Sequence, residues 1–277
     1  MQITAADVMK LRKMTSAGMM DCKKALTEAE GDINKAIEII REKGKLIAAK
    51  RADRETNEGA VLVRVNGGKA IIVSLGCETD FVAATPDFKA LANEIADVAM
   101  ASFASDAEAL KAAKANNGHT IEEEISAQTG KTGEKHILAY YSTLEAPFIA
   151  QYVHNNSKLA AIVAFNQEVP AEVAKNVAQQ VAAMNPISVC EADCPKEAVE
   201  KEMAMYKQQM SEDPKMVGKP EAMLENIAKG KLKKYFKECT LEDQDFIWDA
   251  KVAVKDYICQ NAKGAKVIAF RRFSLTD

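Results

Sequence analysis

At Gly59 the spacing of apolar side chains changes, and this rules out both an all-helical and an all-strand chain. Upstream, apolar residues recur every three or four positions. Thr4 can cap a helix carrying Val8, Leu11 and Met14, and Thr15-Ser16-Ala17-Gly18 breaks it. Met19, Cys22, Leu26 and Ala29 form the next stripe. Gly31 ends that helix and Asp32 can cap a third, with Ile33, Ala36, Ile37 and Ile40 as its buried face and Gly44 as its end. Downstream, Val61, Val63 and Val65 alternate with Leu62 and Arg64. Asn66-Gly67-Gly68 is a hairpin turn signal, and residues 70–75 make the return strand.

The spacing predicts a helix of about four turns carrying Phe88, Leu91, Ile95 and Val98. Short helices near 106–115 and 120–128 follow, then a strand from His136 to Tyr141. The pattern recurs. Pro147 to Val153 and Lys158 to Phe165 make a second hairpin around Asn155-Asn156, and a helix at 170–183 places Val173, Val177 and Val181 four apart. Strand pair plus helix in each half predicts an α+β fold with two related subdomains. Between 195 and 237 two apolar stripes flank a breaker-rich turn, Ser211-Glu212-Asp213-Pro214 and Gly218-Lys219-Pro220. Val199, Met203, Tyr206 and Met210 face Met223, Ile227, Leu232 and Phe236, the pattern of an antiparallel coiled-coil hairpin. A helix near 251–261 and a strand from Ala265 to Phe273 close the chain. The expected division is a three-helix docking module at 1–44, a charged linker, KLIAAKRADRETNE, at 45–58 and partly helical, a core N-subdomain at 59–141, and a core C-subdomain at 142–277.

The net charge of −3 over 277 residues supplies no general field toward nucleic acid. Asp7, Lys10, Arg12 and Lys13 in the first helix leave no signal-peptide apolar region, and no apolar run is long enough to span a membrane, so the expected location is the cytoplasm. The six cysteines form no CxxC pair, and Cys190 and Cys194 are the nearest two; reduced thiols explain them more simply than a metal or redox site. His119, His136 and His154 stand far apart. Gly130-Lys131-Thr132 resembles the end of a phosphate-binding loop, but Ile125 stands where its first glycine belongs, and a helix precedes it instead of a strand. No cofactor, metal or nucleotide site is expected.

Cys77-Glu78-Thr79-Asp80-Phe81-Val82 follows the strand at 70–75 and precedes a helix start, Thr85-Pro86-Asp87. An Asp-Phe pair on such a connection either fills the local core and caps the next element, or presents a carboxylate and a ring to another protein. Nothing around the pair suggests bond-making chemistry, and on the residues alone the first reading is the stronger.

Two runs carry a specific resemblance. Leu11-Arg12-Lys13-Met14-Thr15-Ser16-Ala17-Gly18-Met19-Met20-Asp21-Cys22-Lys23-Lys24-Ala25-Leu26, continued by Glu28-Ala29-Glu30-Gly31-Asp32, resembles the first signature of the bacterial elongation factor Ts family, and Thr79-Asp80-Phe81-Val82 resembles the second. Lys231 to Phe236 and Gln244 to Trp248 also sit where that family has related segments. The resemblance covers essentially the whole chain. It implies a ubiquitin-associated-like three-helix module and two α+β subdomains, with the coiled-coil hairpin inserted in the second. It also implies guanine-nucleotide exchange on elongation factor Tu, met both GDP-bound and nucleotide-free, with no enzyme chemistry. In relatives the pair matching Asp80-Phe81 inserts between helices of the GTPase and helps dislodge its magnesium ion. Thr79, Asp80, Phe81 and Val82 are thus the expected wedge, and Arg12, Met20 and Lys23 candidate contacts of the first module. His154, which matches a histidine in relatives, and the pair Ile247 and Trp248 are further candidate contacts; a solvated histidine and an apolar core pair are the bland readings. Some family members carry a further C-terminal helical module, and its contacts are not carried over to a sequence that stops at Asp277. Whether the hairpin forms a homodimer or only adds partner contacts stays open. The competing reading is a helical docking or adaptor protein without exchange activity; a thiol or metal enzyme would rest on the cysteines alone.

Overall fold

Three short helices start the chain because each has a cap and one apolar stripe. The computed structural model describes residues 3–15, 17–154, 157–213 and 220–277. Helix α1 (Ala5–Thr15) begins at Thr4, whose amide and hydroxyl donate to Asp7 while its hydroxyl oxygen accepts from the Asp7 amide. Helix α2 (Met19–Glu28) ends where Glu30 turns to φ +54°, which lets the amide of Gly31 reach back to the Leu26 carbonyl. Asp32 then caps α3 (Ile33–Lys50), accepting from the amides of Asn34 and Lys35. Leu11, Ala17, Cys22, Ala25, Leu26, Ile37 and Ile40 are buried together. Met14 and Met19 are exposed instead of filling that core: Leu11 is the buried residue of α1, and Ala17 takes the buried place between α1 and α2.

Gly44 does not end α3. The helix runs six residues further, into the span expected as linker, and Gly44 is buried against the later helix α7 (Ile121–Thr132). A Cβ at Gly44 would stand 2.1 Å from the Ser126 carbonyl oxygen, and one at Gly130 would stand 3.4 Å from the Gly44 Cα. The glycine signals a close helix crossing here, which the helix-stop pattern alone cannot distinguish from a C-cap.

Strands β1 (Glu58–Asn66) and β2 (Lys69–Cys77) form the expected antiparallel hairpin, Val65 opposite Ala70 and Asn66 opposite Lys69. They are followed by α4 (Asp80–Ala83), α5 (Pro86–Ser102), α6 (Ala107–Ala112), α7 (Ile121–Thr132) and β3 (Ile137–Glu145), with sheet order β1-β2-β3. Central β2 is buried from Ala70 to Cys77, which explains its continuous apolar run. Thr85 caps α5 and Pro86 opens it; Phe88, Leu91, Ile95 and Ala99 then bury one face against Ile71, Val73 and Leu75. Thr120 and Glu123 form a reciprocal capping box on α7. Gly130-Lys131-Thr132 is the last turn of that helix, with Lys131 paired to Asp87. Arg41 of α3 joins Glu123 of α7 at 3.0 Å.

The second half adds β4 (Phe148–Val153), β5 (Leu159–Phe165), α8 (Ala171–Met184), α9 (Lys196–Glu212), α10 (Glu221–Cys239), β6 (Asp245–Phe246), β7 (Asp249–Ala253), α11 (Val254–Asn261) and β8 (Val267–Ser274). The second sheet has order β4-β5-β8 and β6 pairs with β7. Val173, Val177 and Val181 are buried on α8, as their spacing requires. Lys231 of α10 lies 5.2 Å from the Tyr206 ring centre and donates to Gln209 of α9. Residues 251–253, expected as helix, are strand; the helix begins at Val254. The hairpin turn at Asn155-Asn156, the residues 214–219 between α9 and α10, and Ser16 lie outside the described residues. Two compact units emerge. One holds Met1–Leu144, Val153–Ala160 and Phe273–Asp277, and the other Glu145–Tyr152 and Ala161–Arg272. The chain is a mixed helix-and-sheet protein. No helix among the described residues is long and apolar enough to cross a membrane.

The crossing is testable against a control. Overpacking a tight contact costs about 1–3 kcal/mol, more than the roughly 1 kcal/mol alanine gains over glycine inside a helix. Gly44→Ala is therefore expected to lower the urea midpoint, whereas Gly230→Ala on α10, where a Cβ meets nothing within 4 Å, raises it.

Candidate functional site

The segment after β2 is held at every turn. The Cys77 thiol donates to the Thr79 carbonyl at 3.3 Å. Thr79 is extended at φ −126°, ψ 151° and caps α4, its hydroxyl oxygen accepting from the Val82 amide at 3.4 Å. The Glu134 carboxylate takes both Thr79 donors, the hydroxyl at 2.7 Å and the amide at 3.1 Å. The Thr85 hydroxyl donates to the Val82 carbonyl at 2.7 Å and caps α5. A helix of four residues between two such caps has little freedom, and its faces are assigned by what lies beneath. Val82 and Ala83 pack on the core cluster of β2 and α5. Phe81 points away from it and is 83% exposed. This excludes Phe81 as local core. Burying a Phe side chain is worth about 1.5–3 kcal/mol, a gain left for another surface to take. Asp80 is exposed and lines a groove of about 500 Å³ with Glu58, Leu62, Lys89, Asn93 and Lys158.

Around this helix the charges are fixed. Burial would raise the Glu78 carboxyl, but the Lys135 amide at 2.6 Å and the Arg51 guanidinium at 2.6 Å outweigh it and hold it below its ordinary value. Burial, with the Glu134 charge beside it, pushes the Cys77 thiol up to about 12. His136 is buried; its Nδ1–H donates to the Glu134 carbonyl at 2.9 Å and its ring lies 5.8 Å from Phe88. Burial lowers its pKa below the ordinary 6.5, against the pull of Glu134.

The other candidates are distributed. Arg12, Met20 and Lys23 are exposed. Met20 and Lys23 share a shallow depression on α2 with Lys24, Thr27 and Glu28, which Arg12 on α1 does not line. Met9, Met14 and Met19 join Met20 as exposed methionines of this module, a flexible apolar surface that the stripe reading hid. His154 is exposed just after β4, where its amide donates to the Leu159 carbonyl. In the other unit, Ile247 and Trp248 are not core. Phe246 takes the buried place, stacked on Tyr257 at 4.0 Å, and the turn between β6 and β7 leaves Trp248 65% exposed. The Ile247 amide donates to buried Gln180 at 2.9 Å, which fixes that turn. Among the described residues, no group of three or more His, Cys, Asp or Glu side chains is placed to hold a metal ion. Sequence reasoning missed Glu134, Glu78, Arg51 and Lys135, because nothing local marks a carboxylate that acts 55 residues away.

A family model described as Elongation factor TS matches residues 78–277, a span that opens one residue before Thr79. The chain belongs to the elongation factor Ts family. Elongation factor Ts of Christiangramia forsetii is 46% identical over 278 residues, covering 99% of each chain. The proteins of the same name from Porphyromonas gingivalis and Amoebophilus asiaticus are 42% and 45% identical, covering 99% and 98% of each chain. Membership of the elongation factor Ts family makes this chain a translation elongation factor.

Two measurements test the site's electrostatics. A histidine whose folded pKa lies below 6.5 contributes stability that is complete above 6.5 and is lost as the pH falls below it, because the unfolded chain takes up the proton first. Wild type should therefore lose more stability than His136→Gln between pH 7 and pH 5.5 in urea titrations, each measured from its own value at pH 7. A thiol reagent at pH 8 should modify exposed Cys259 in the native protein, and buried Cys22 and Cys77 only on unfolding.

Proposed function

We propose that this chain promotes GDP release from elongation factor Tu, with Asp80-Phe81 as a wedge between helices of the GTPase. The observation that carries the reading is the Phe81 ring, almost wholly exposed on a helix pinned at both ends. A large apolar ring held rigidly in water loses little entropy on docking and gains its full burial there. Magnesium binds in near-octahedral oxygen geometry, so a small displacement of the elements supporting it weakens the ion and the phosphate contacts it bridges. Packed helices rearrange in discrete steps, which lets a single inserted ring act on a metal it does not touch.

Thr79 and Val82 fix the wedge from its own helix. Arg12, Met20 and Lys23 dock the first module, and His154, Ile247 and Trp248 add contacts. The protein does no bond chemistry and acts in the cytoplasm. It binds the GDP-loaded GTPase, retains the nucleotide-free form and is displaced as GTP enters. By linkage, the factor by which it weakens GDP is the factor by which GDP weakens it, so it binds the empty GTPase more tightly. In this reading residues 1–44 are the ubiquitin-associated-like docking module, 59–141 and 142–277 the two core subdomains, and 195–237 an antiparallel coiled coil.

Release of labelled GDP from purified elongation factor Tu tests the proposal. At saturating factor and abundant magnesium, Phe81→Ala should slow release with little change in its own thermal midpoint. The Asp80→Ala/Phe81→Ala double variant should converge with wild type as magnesium is removed, since the GTPase then already lacks the support that the wedge disturbs. A ratio constant across the magnesium range would sink the metal account, and binding without any acceleration would leave an adaptor.

A further inference from the structure

Helix α4 does not complete its own capping box. The reciprocal arrangement requires Glu or Gln three residues after the capping threonine, to accept from the amide of the cap itself. In α7 that residue is Glu123 and the box is closed. In α4 the corresponding residue is Val82, whose side chain packs on the core and has no acceptor to offer the Thr79 amide. The Thr79 amide is satisfied from elsewhere, by Glu134 Oε2 at 3.1 Å, while Glu134 Oε1 accepts the Thr79 hydroxyl at 2.7 Å. Glu134 is itself anchored. Its amide donates to the Thr132 hydroxyl at 3.2 Å, and its carbonyl accepts from His136 Nδ1–H at 2.9 Å. The next residue ties the same segment to the end of α3. The Lys135 amide donates to Glu78 at 2.6 Å, and its ammonium donates to the carbonyls of Ala52 at 2.6 Å and Arg54 at 3.1 Å. Arg51 donates to the other oxygen of Glu78 at 2.6 Å.

We propose that Glu134 is a positioning residue for Phe81, completing the cap of α4 from outside that helix, and that Glu78 with Lys135 and Arg51 extends the clamp to the end of α3. This rests on the reading of Asp80-Phe81 as the wedge. Val82 is needed in the core, so the helix cannot supply its own acceptor; a distant carboxylate lets one turn be both apolar underneath and fully capped. The clamp fixes where the ring stands when the partner arrives, and Glu134 acts through Thr79. Losing it should leave docking intact and lower the rate reached once docked.

Two readouts on the full chain test this, one without the GTPase. In the free protein, Glu134→Ala should speed hydrogen exchange of the Thr79 and Val82 amides, with amides of β2 and α5 unchanged, and Glu134→Gln, which keeps one acceptor, should fall between it and wild type. In the GDP-release assay, Glu134→Ala should lower the maximal rate about tenfold with the half-saturating factor concentration unchanged. Combined with Phe81→Ala it should add nothing to that substitution alone. Unaltered exchange at Thr79 in Glu134→Ala would overturn the clamp whatever the rates. Additive losses, or a change confined to half-saturation, would overturn positioning and leave the wedge standing. A Phe81→Ala protein with wild-type release would remove the wedge reading, and the proposal with it, while the exchange measurement would still report on the cap.

Discussion

The crossing of α3 over α7 sets the rest of the first unit. Gly44 and Gly130 allow the two backbones to come within the distance at which a Cβ would strike a carbonyl oxygen. Close approach lengthens the contact along both helices and brings Arg41 to Glu123. The end of α7 is thereby fixed with respect to α3. From that end leads the loop carrying Glu134, Lys135 and His136, and those residues hold the segment that presents Phe81. A packing event between two helices thus decides the placement of a side chain on neither.

Two demands compete in α4. Stability calls for burying apolar side chains, and Val82 and Ala83 meet that demand on the core side. Phe81 is left in water, a cost the small helix bears because it is capped at Thr79 and closed at Thr85. Exposed apolar side chains scattered singly are ordinary on protein surfaces. This ring differs in standing on a turn whose backbone is held by hydrogen bonds at both ends. The exposed methionines of α1 and α2 are the opposite kind of apolar surface, unbranched and adaptable.

Electrostatics around the site follows from the same geometry. Glu134 sits beside a thiol and a histidine that burial holds neutral. Its carboxylate accepts from both donors of Thr79. Glu78, by contrast, is shared between an amide and a guanidinium, which hold its carboxyl below the ordinary value against burial.

Local chemistry made the elements legible in sequence. Caps at Thr4 and Asp32, the helix start at Thr85-Pro86-Asp87, the alternation of β1, the glycine pair between β1 and β2 and the four-residue spacing on α8 depend on neighbours within a turn or a hairpin, so they appear in the linear pattern. The signature around Thr79-Asp80-Phe81-Val82 was legible for the same reason, as a contiguous run. Tertiary structure decided what each ambiguous residue does. Gly44 could have been a helix stop or a crossing point, and only the presence of α7 chose. Met19 and the pair Ile247 and Trp248 had the apolarity of core residues, but Ala17 and Phe246 occupied the space. Glu134 carried no local mark at all, since its partner lies 55 residues away and a lone carboxylate in a loop reads as solvent-exposed. Side-chain periodicity encodes which face is apolar; which apolar residue wins a finite volume, and which distant acceptor meets an orphan amide, depends on elements brought together only by folding.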